Sequence, residues 1–468
     1  MQKWKRIAAV MPLAFAGVSG TVFAQEAPAQ FEDGQKAVFF GDSITHEGWY
    51  AYYVQLFYAT RFPDRKITIE NAGVAGGTAA GSLSRIEQDV LACKPDWVYI
   101  MFGMNDVGRN NYKSAQADEK TLAAREGSLK TYKLKTDEII KKIKASGAAP
   151  VVVTPSPYDQ YGQGIKAENL AACNDGLAKC AEIARALAAE NKCPVADIHA
   201  PMTALMIKDP ESKLAGDGRV HPDQAGHMVM AYYILQAQKI PGLVSKTVID
   251  CAKRTVARTE NCSAENLEVQ AGSVKFTYIP KALPFPLSGE YSKANKTVPW
   301  ESLNQEIIQV MNLPAGDYRL LAGGKGIGSF SAAQFASGVN LAALATPQQG
   351  QSARLRKAVI AKANADFPLR NVVQGKCILW DAKIDPADFA ASDKYLDEWL
   401  AQVSDQYKKY YTAVIKAYRE NRGKLPELTQ KAADAQENIF KFQKPEPFVL
   451  EIVVPPHNLW VNTTNVSS

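Results

Sequence analysis

The chain has 468 residues, of which 46% are apolar and 22% charged. That length allows two or three domains, and the composition is that of a globular protein with a sizeable core. The formal net charge is +6, but Lys3, Lys5 and Arg6 supply half of it from the extreme N-terminus, and the remaining excess is too weak for a nucleic-acid partner.

Those three basic residues precede an apolar run from Ile7 to about Val18 and a small-residue segment ending in Val22-Phe23-Ala24. This order predicts a secretory signal peptide over residues 1–24. The run is short for a bilayer span and is broken by Pro12 and Gly17. Cleavage after Ala24 and a periplasmic or secreted destination are expected, with no membrane span after signal cleavage. Seven cysteines (Cys93, Cys173, Cys180, Cys193, Cys251, Cys262 and Cys377) include no C-x-x-C pair and no His/Cys cluster suited to zinc, so no metal is expected. In an oxidising compartment Cys251 and Cys262 are candidates to close a short loop, and Cys180 to pair with Cys173 or Cys193.

From Lys36 onward, short apolar runs alternate with helical segments. Strands are expected over residues 37–40, 66–70, 97–101, 150–154 and 195–198. Helices are expected over about 49–61, 80–92, 123–145, 167–190 and 224–238. Such alternation predicts a parallel sheet covered on both faces, in a domain spanning residues 36–240. Beyond Ile240 the rhythm changes. Residues 245–265 read as a linker or disulfide-bound loop. Residues 269–279 and 307–330 read as short strands of an antiparallel unit that 448–454 rejoins. Residues 331–340, 349–364 and 386–440 read as helices. The segment 338–342, followed by Thr346-Pro347, is either an active-site cap or a seat between the two parts. Residues 245–468 thus make a C-terminal α+β extension, a small β unit plus long helices, of unassigned role.

Ala37-Val38-Phe39-Phe40 runs straight into Gly41-Asp42-Ser43. A serine just past the carboxyl end of a buried strand lies where open α/β sheets bind ligands. It also lies near a helix N-terminus, whose N–H groups favour developing negative charge. An acyl-transfer serine needs a base and oxyanion donors as well. Gly76, in Asn71-Ala72-Gly73-Val74-Ala75-Gly76, offers a backbone N–H with no side chain in the way. Asn105, in Gly103-Met104-Asn105-Asp106, offers a side-chain amide. His221, in Val220-His221-Pro222, is the candidate base. Taken singly, each has an ordinary reading: helix cap for Ser43, flexible turn for Gly76, Asx turn for Asn105, surface loop for His221. Their joint occurrence, each following a strand or preceding a helix, is far more specific.

In that order the four blocks resemble the SGNH/GDSL hydrolase family over about residues 36–240. The resemblance implies a three-layer α/β/α flavodoxin-like domain and a serine esterase needing no metal or organic cofactor. It implies Ser43 as nucleophile, His221 as base, and an oxyanion hole of the Ser43 and Gly76 N–H groups and the Asn105 amide. The family's aspartate three residues before the histidine is replaced by Gly218; either the loop bulges and Asp217, one residue further back, completes the triad, which is the favoured expectation, or a backbone carbonyl orients the imidazole. Asp42 and Asp106 are expected to brace their loops. His46, His199, His227 and His457 receive no catalytic part, and Tyr50, Tyr52 and Tyr53 are read as core. Asp159 and Tyr161 are candidates for the pocket rim. Exported family members with an added domain point to an acetylated glycan as substrate. A lipase, lysophospholipase or thioesterase is the alternative within the family, and a non-catalytic glycan-binding protein the alternative outside it. The sequence leaves the oligomeric state open.

Overall fold

The computed structural model describes residues 26–287 and 292–455; the expected signal peptide and His457 lie outside them. Five parallel strands, β1 (Lys36–Gly41), β2 (Thr68–Gly73), β3 (Trp97–Met101), β4 (Ala149–Val153) and β5 (Val195–Ala196), form one sheet in the order β2-β1-β3-β4-β5. Val38, Phe39, Phe40, Ile69 and Val151 are fully buried, as a sheet covered on both faces requires. The accompanying helices are α1 (Ser43–Glu47), α2 (Trp49–Arg61), α3 (Ala79–Ser82), α4 (Glu119–Ala145), α5 (Cys173–Glu190), α6 (His199–Lys208) and α7 (Gln224–Ala237). This is the flavodoxin-like strand order, in which the chain reverses direction across the sheet between β1 and β3. The loops leaving those two strands therefore flank the crevice where such sheets bind ligands. Ser43 follows β1, and Asn105 follows β3.

The expected helix over 80–92 is instead broken. After α3 the chain passes through a 3-10 turn, a π turn over Ile86–Val90 and another 3-10 turn. Arg85 and Asp89 in this stretch are buried and bonded to distant groups, and those tertiary bonds override the local helical pattern.

The C-terminal half begins with strands, which corrects the linker expected over 245–265. They are β6 (Leu243–Asp250), β7 (Thr255–Glu260), β8 (Cys262–Gln270), β9 (Ser273–Pro280), β10 (Gln305–Met311), β11 (Asp317–Ala322), β12 (Lys325–Ser331), β13 (Val339–Asn340) and β14 (Phe448–Val453). β7 is an edge strand with mostly exposed side chains, so it carries no apolar run to announce it. Two sheets, β13-β10-β6-β7 and β12-β11-β14-β9-β8, share a core that includes Ile249, Phe276, Val310, Leu320 and Leu450. All seven cysteines are free, against the expected pairings. Cys173 and Cys180 lie two turns apart on α5, roughly 10 Å along its axis, beyond disulfide reach. Cys262 Sγ instead faces Thr247 Oγ1 at 3.2 Å.

The helices of this half are α8 (Ser292–Thr297), α9 (Ala332–Ser337), α10 (Pro347–Asp381), α11 (Phe389–Gln402), α12 (Asp405–Asn421) and α13 (Leu425–Phe442). α10 is far longer than the expected 349–364 and continues through Pro368. The contacts of the 338–347 segment lie within the C-terminal half. The Asn340 side chain accepts the Glu306 N–H at 3.0 Å, and Thr346 caps α10. Leu355 and Val359 of α10 and Ile439 of α13 then join the core of the α/β domain. Among the described residues no helix is long and apolar enough to cross a membrane.

Glu306 on β10 is wholly buried and accepts the Tyr278 hydroxyl at 2.9 Å. Burial pushes its pKa up from 4.5 to about 7. A carboxyl whose folded-state pKa lies above its unfolded value favours folding below the unfolded value, and that contribution is lost as pH rises through the folded one. A shift of this size corresponds to roughly 3 kcal/mol. Thermal melting followed from pH 4.5 to 7 should show a decline in stability that Glu306→Gln flattens; equal slopes for the two proteins would exclude Glu306 as the source.

Candidate active site

The nucleophile position is built by a cap. Asp42 follows β1 and accepts the Ile44 N–H at 3.0 Å, so α1 starts at Ser43. Asp42 is 2% exposed, and burial pushes its pKa up to about 7. α1 lies hard against the end of β2: a Cβ at Gly73 would sit 2.0 Å from the His46 nitrogen, so only glycine permits the approach. Beyond it, Gly76 takes φ +75°, a left-handed conformation, and is exposed with open space around it.

The β3 loop is tied to the β2 loop by two side chains. Asn105 Nδ2 donates to the Gly77 carbonyl at 2.9 Å, which leaves its second amide hydrogen unused. Asp106 accepts the Ala79 N–H at 2.8 Å and the Gly103 N–H at 3.0 Å, a bracing role as expected from its position. Beneath these loops, Arg85 donates to the carbonyls of Ala72 at 2.8 Å and Gly41 at 3.0 Å. Arg370, from α10, donates to the Gly73 carbonyl at 2.9 Å and to Asp89 at 2.6 Å. Arg85 also pairs with Asp89.

His221 comes from the loop before α7 and places Nε2 2.8 Å from Ser43 Oγ. Burial of part of its ring lowers the imidazole pKa, and the charges of Arg109 and His227 act the same way, while Glu47 opposes them. Asp217 does not reach the imidazole. Its carboxylate is 84% exposed and pairs with Lys213 at 3.1 Å. The reason lies in the next residues: Arg219 takes φ +63° and turns its buried guanidinium inward to the carbonyls of Asp159 and Gly162, at 2.8 and 3.1 Å. The extra residue before His221 thus swings Asp217 outward. The negative charge that raises the His221 pKa is that of Glu47, whose carboxylate makes its own contact with His227 Nε2, at 3.5 Å. The sequence reading missed it. The available signal was its spacing, four residues after Ser43 on one helix, hence on the same face.

The remaining candidates fall elsewhere. Asp159 is buried and accepts the Gly162 N–H at 2.7 Å within its own loop, and Tyr161 packs on the core, so neither forms a pocket rim. His227 stacks on Tyr50 with centroids 6.0 Å apart. His199 Nδ1 lies 3.1 Å from the Pro155 carbonyl. His46 is buried and packs edge-on against Phe367, and burial lowers its pKa to about 4.

A serine hydroxyl bonded to an imidazole at a helix N-terminus, with backbone and amide donors in the adjoining loops, can add to an ester carbonyl and shuttle the proton. On a flavodoxin-like sheet these features define a serine ester hydrolase. The GDSL-like Lipase/Acylhydrolase family model matches residues 39–229. An acetylxylan esterase from Geobacillus stearothermophilus is 31% identical over 221 residues, 43% of this chain and 93% of that enzyme. The solved structure of a gut microbial diltiazem-metabolizing enzyme is 28% identical, with a TM-score of 0.82, over 92% of this chain and 100% of that one. The chain belongs to the GDSL-like lipase/acylhydrolase family and is a carboxylic ester hydrolase.

Two variants separate the carboxylates. kcat/KM rises with pH as His221 loses its proton. Glu47→Gln removes a negative charge that favours the protonated ring, so the acid limb of the kcat/KM profile should move to lower pH; no movement, or movement upward, would exclude the coupling. Asp217→Asn should keep kcat/KM within about threefold, against the roughly 10⁴-fold loss typical of a triad carboxylate.

Proposed function

We propose that this protein is an exported O-acetylesterase acting on an acetylated carbohydrate. The observation that carries the chemistry is the 2.8 Å contact between Ser43 Oγ and His221 Nε2. Ser43 attacks the ester carbonyl as His221 takes its proton. The N–H groups of Ser43 and Gly76 and the free amide hydrogen of Asn105 receive the oxyanion. His221 then protonates the leaving alcohol, and water, activated by the same ring, releases acetate. With Asp217 turned away, Glu47 supplies the negative charge that stabilises the imidazolium. The acetyl preference is supported by the acetylxylan esterase relative. Export is supported by the basic start and apolar run of residues 1–24.

Ser43→Ala should lower hydrolysis of p-nitrophenyl acetate by more than about 10³-fold; comparable rates would end the serine mechanism. Acetate release from a panel of acetylated polysaccharides should identify the glycan. Faster cleavage of octanoate than acetate esters would replace this reading with a lipase.

A further inference from the structure

Beside the Gly76 loop lies an open cavity of about 300 Å³ that neither half of the chain forms alone. Gly76 and its neighbours make one wall. Gln374 and Asp381 of α10, Tyr395 and Trp399 of α11, and Tyr411 of α12 make the other. We propose that this cavity holds the alcohol half of the ester, as a single pyranose-type sugar ring, so that the C-terminal helices carry substrate recognition. The proposal rests on the esterase reading above.

Position comes first. The cavity shares Gly76 and Gly77 with the loop that Asn105 fixes through the Gly77 carbonyl at 2.9 Å. Ser43, Asn105 and His221 do not line it, so an ester held by the Gly76 N–H reaches it across the Gly76–Gly77 turn. Size comes second. An acetyl group is two carbons, and it would leave almost all of the volume empty. The volume stands at the small end of the range for ligand sites and suits one ring.

Chemistry decides the class. The Trp399 and Tyr411 rings meet edge to face, with centroids 4.8 Å apart and planes at 89°. Such half-buried aromatic surface packs against the C–H face of a sugar ring. The Trp399 indole N–H, the Tyr395 and Tyr411 hydroxyls and the Asp381 carboxylate have no hydrogen-bond partner among the described residues. They are donors and an acceptor open to ring hydroxyls. A saturated acyl chain would desolvate the same groups and leave them unpaired, at a cost that disfavours it. Placement is rigid. Arg370 holds α10 on the Gly73 carbonyl at 2.9 Å. Gln374, one turn on from Arg370, donates to the Tyr410 hydroxyl beside Tyr411.

In the inert Ser43→Ala protein, calorimetric titration with acetylated xylobiose should show binding. Adding Trp399→Ala or Asp381→Ala should weaken it by about tenfold. Asp381 is exposed at the end of α10, so its replacement tests the site without burdening the fold. In the active enzyme the same changes should raise KM for acetylated xylobiose more than they lower kcat. Unchanged affinity in both double variants, or no binding of the sugar, overturns the cavity assignment while Ser43-dependent ester cleavage leaves the esterase reading standing. Cleavage that survives Ser43→Ala overturns the esterase reading itself. Tighter binding of an octanoate ester, lost with Trp399→Ala, would give the cavity to an acyl chain and overturn the sugar.

Discussion

Two guanidiniums closed around one buried carboxylate hold this molecule in working order. Asp89 receives Arg370 from α10 and Arg85 from its own stretch. Burial alone would raise the Asp89 pKa; the two positive charges override it and hold the carboxyl below its usual range. Buried charges are costly unless fully paired, and here further N–H groups of both guanidiniums are spent on main-chain carbonyls. Those carbonyls belong to Gly41, Ala72 and Gly73, the last residues of β1 and β2. Ser43 and Gly76 leave from these strand ends. The directions of the nucleophile loop and the oxyanion loop thus depend on a side chain from the far half of the sequence. A second buried cluster works beside it: Asp366 of α10 accepts the Tyr52 hydroxyl at 2.9 Å and pairs with Lys362, which also faces Glu70.

The proposed catalytic centre has an uncommon balance of charge. Partial burial and the charges of Arg109 and His227 lower the His221 pKa, which suits a base. The opposing negative charge sits on α1, the same short helix that presents the serine. One helix thereby sets both the position of the nucleophile and the field at its base, and the loop carrying His221 is left free to spend its inward residue, Arg219, on holding its own shape.

Much of this was legible in the sequence because parallel strands buried on both sides must be continuous apolar runs, and β1 and β3 are. Ser43 and His221, which the structure brings to 2.8 Å, could be picked out because each sits where such a strand ends or a helix begins. Asp217 was misread because spacing along a loop does not say which way the loop turns; the inward turn of Arg219 decided that. Glu47 escaped because a carboxylate inside a short helix looks like surface. Arg370 and Asp366 lay between the expected helices and drew no reading, since no local pattern reveals a partner 281 or 314 positions away. β7 escaped for the opposite reason: an exposed edge strand has no apolar signature at all.

The order of strands in the second sheet has a consequence for biosynthesis. β14, the last strand, lies in the middle, between β11 and β9. Until it is made, that sheet exists as two separate pieces with unpaired edges. The groups that brace the strand ends of the α/β domain also emerge late, and Gln436 finds Gln55 across 381 positions. Contacts of such range form slowly and leave the growing chain exposed to misassembly. Where a free-standing α/β domain needs only its own strands, this one lacks the Arg370 brace on its strand ends until the chain beyond residue 370 is present.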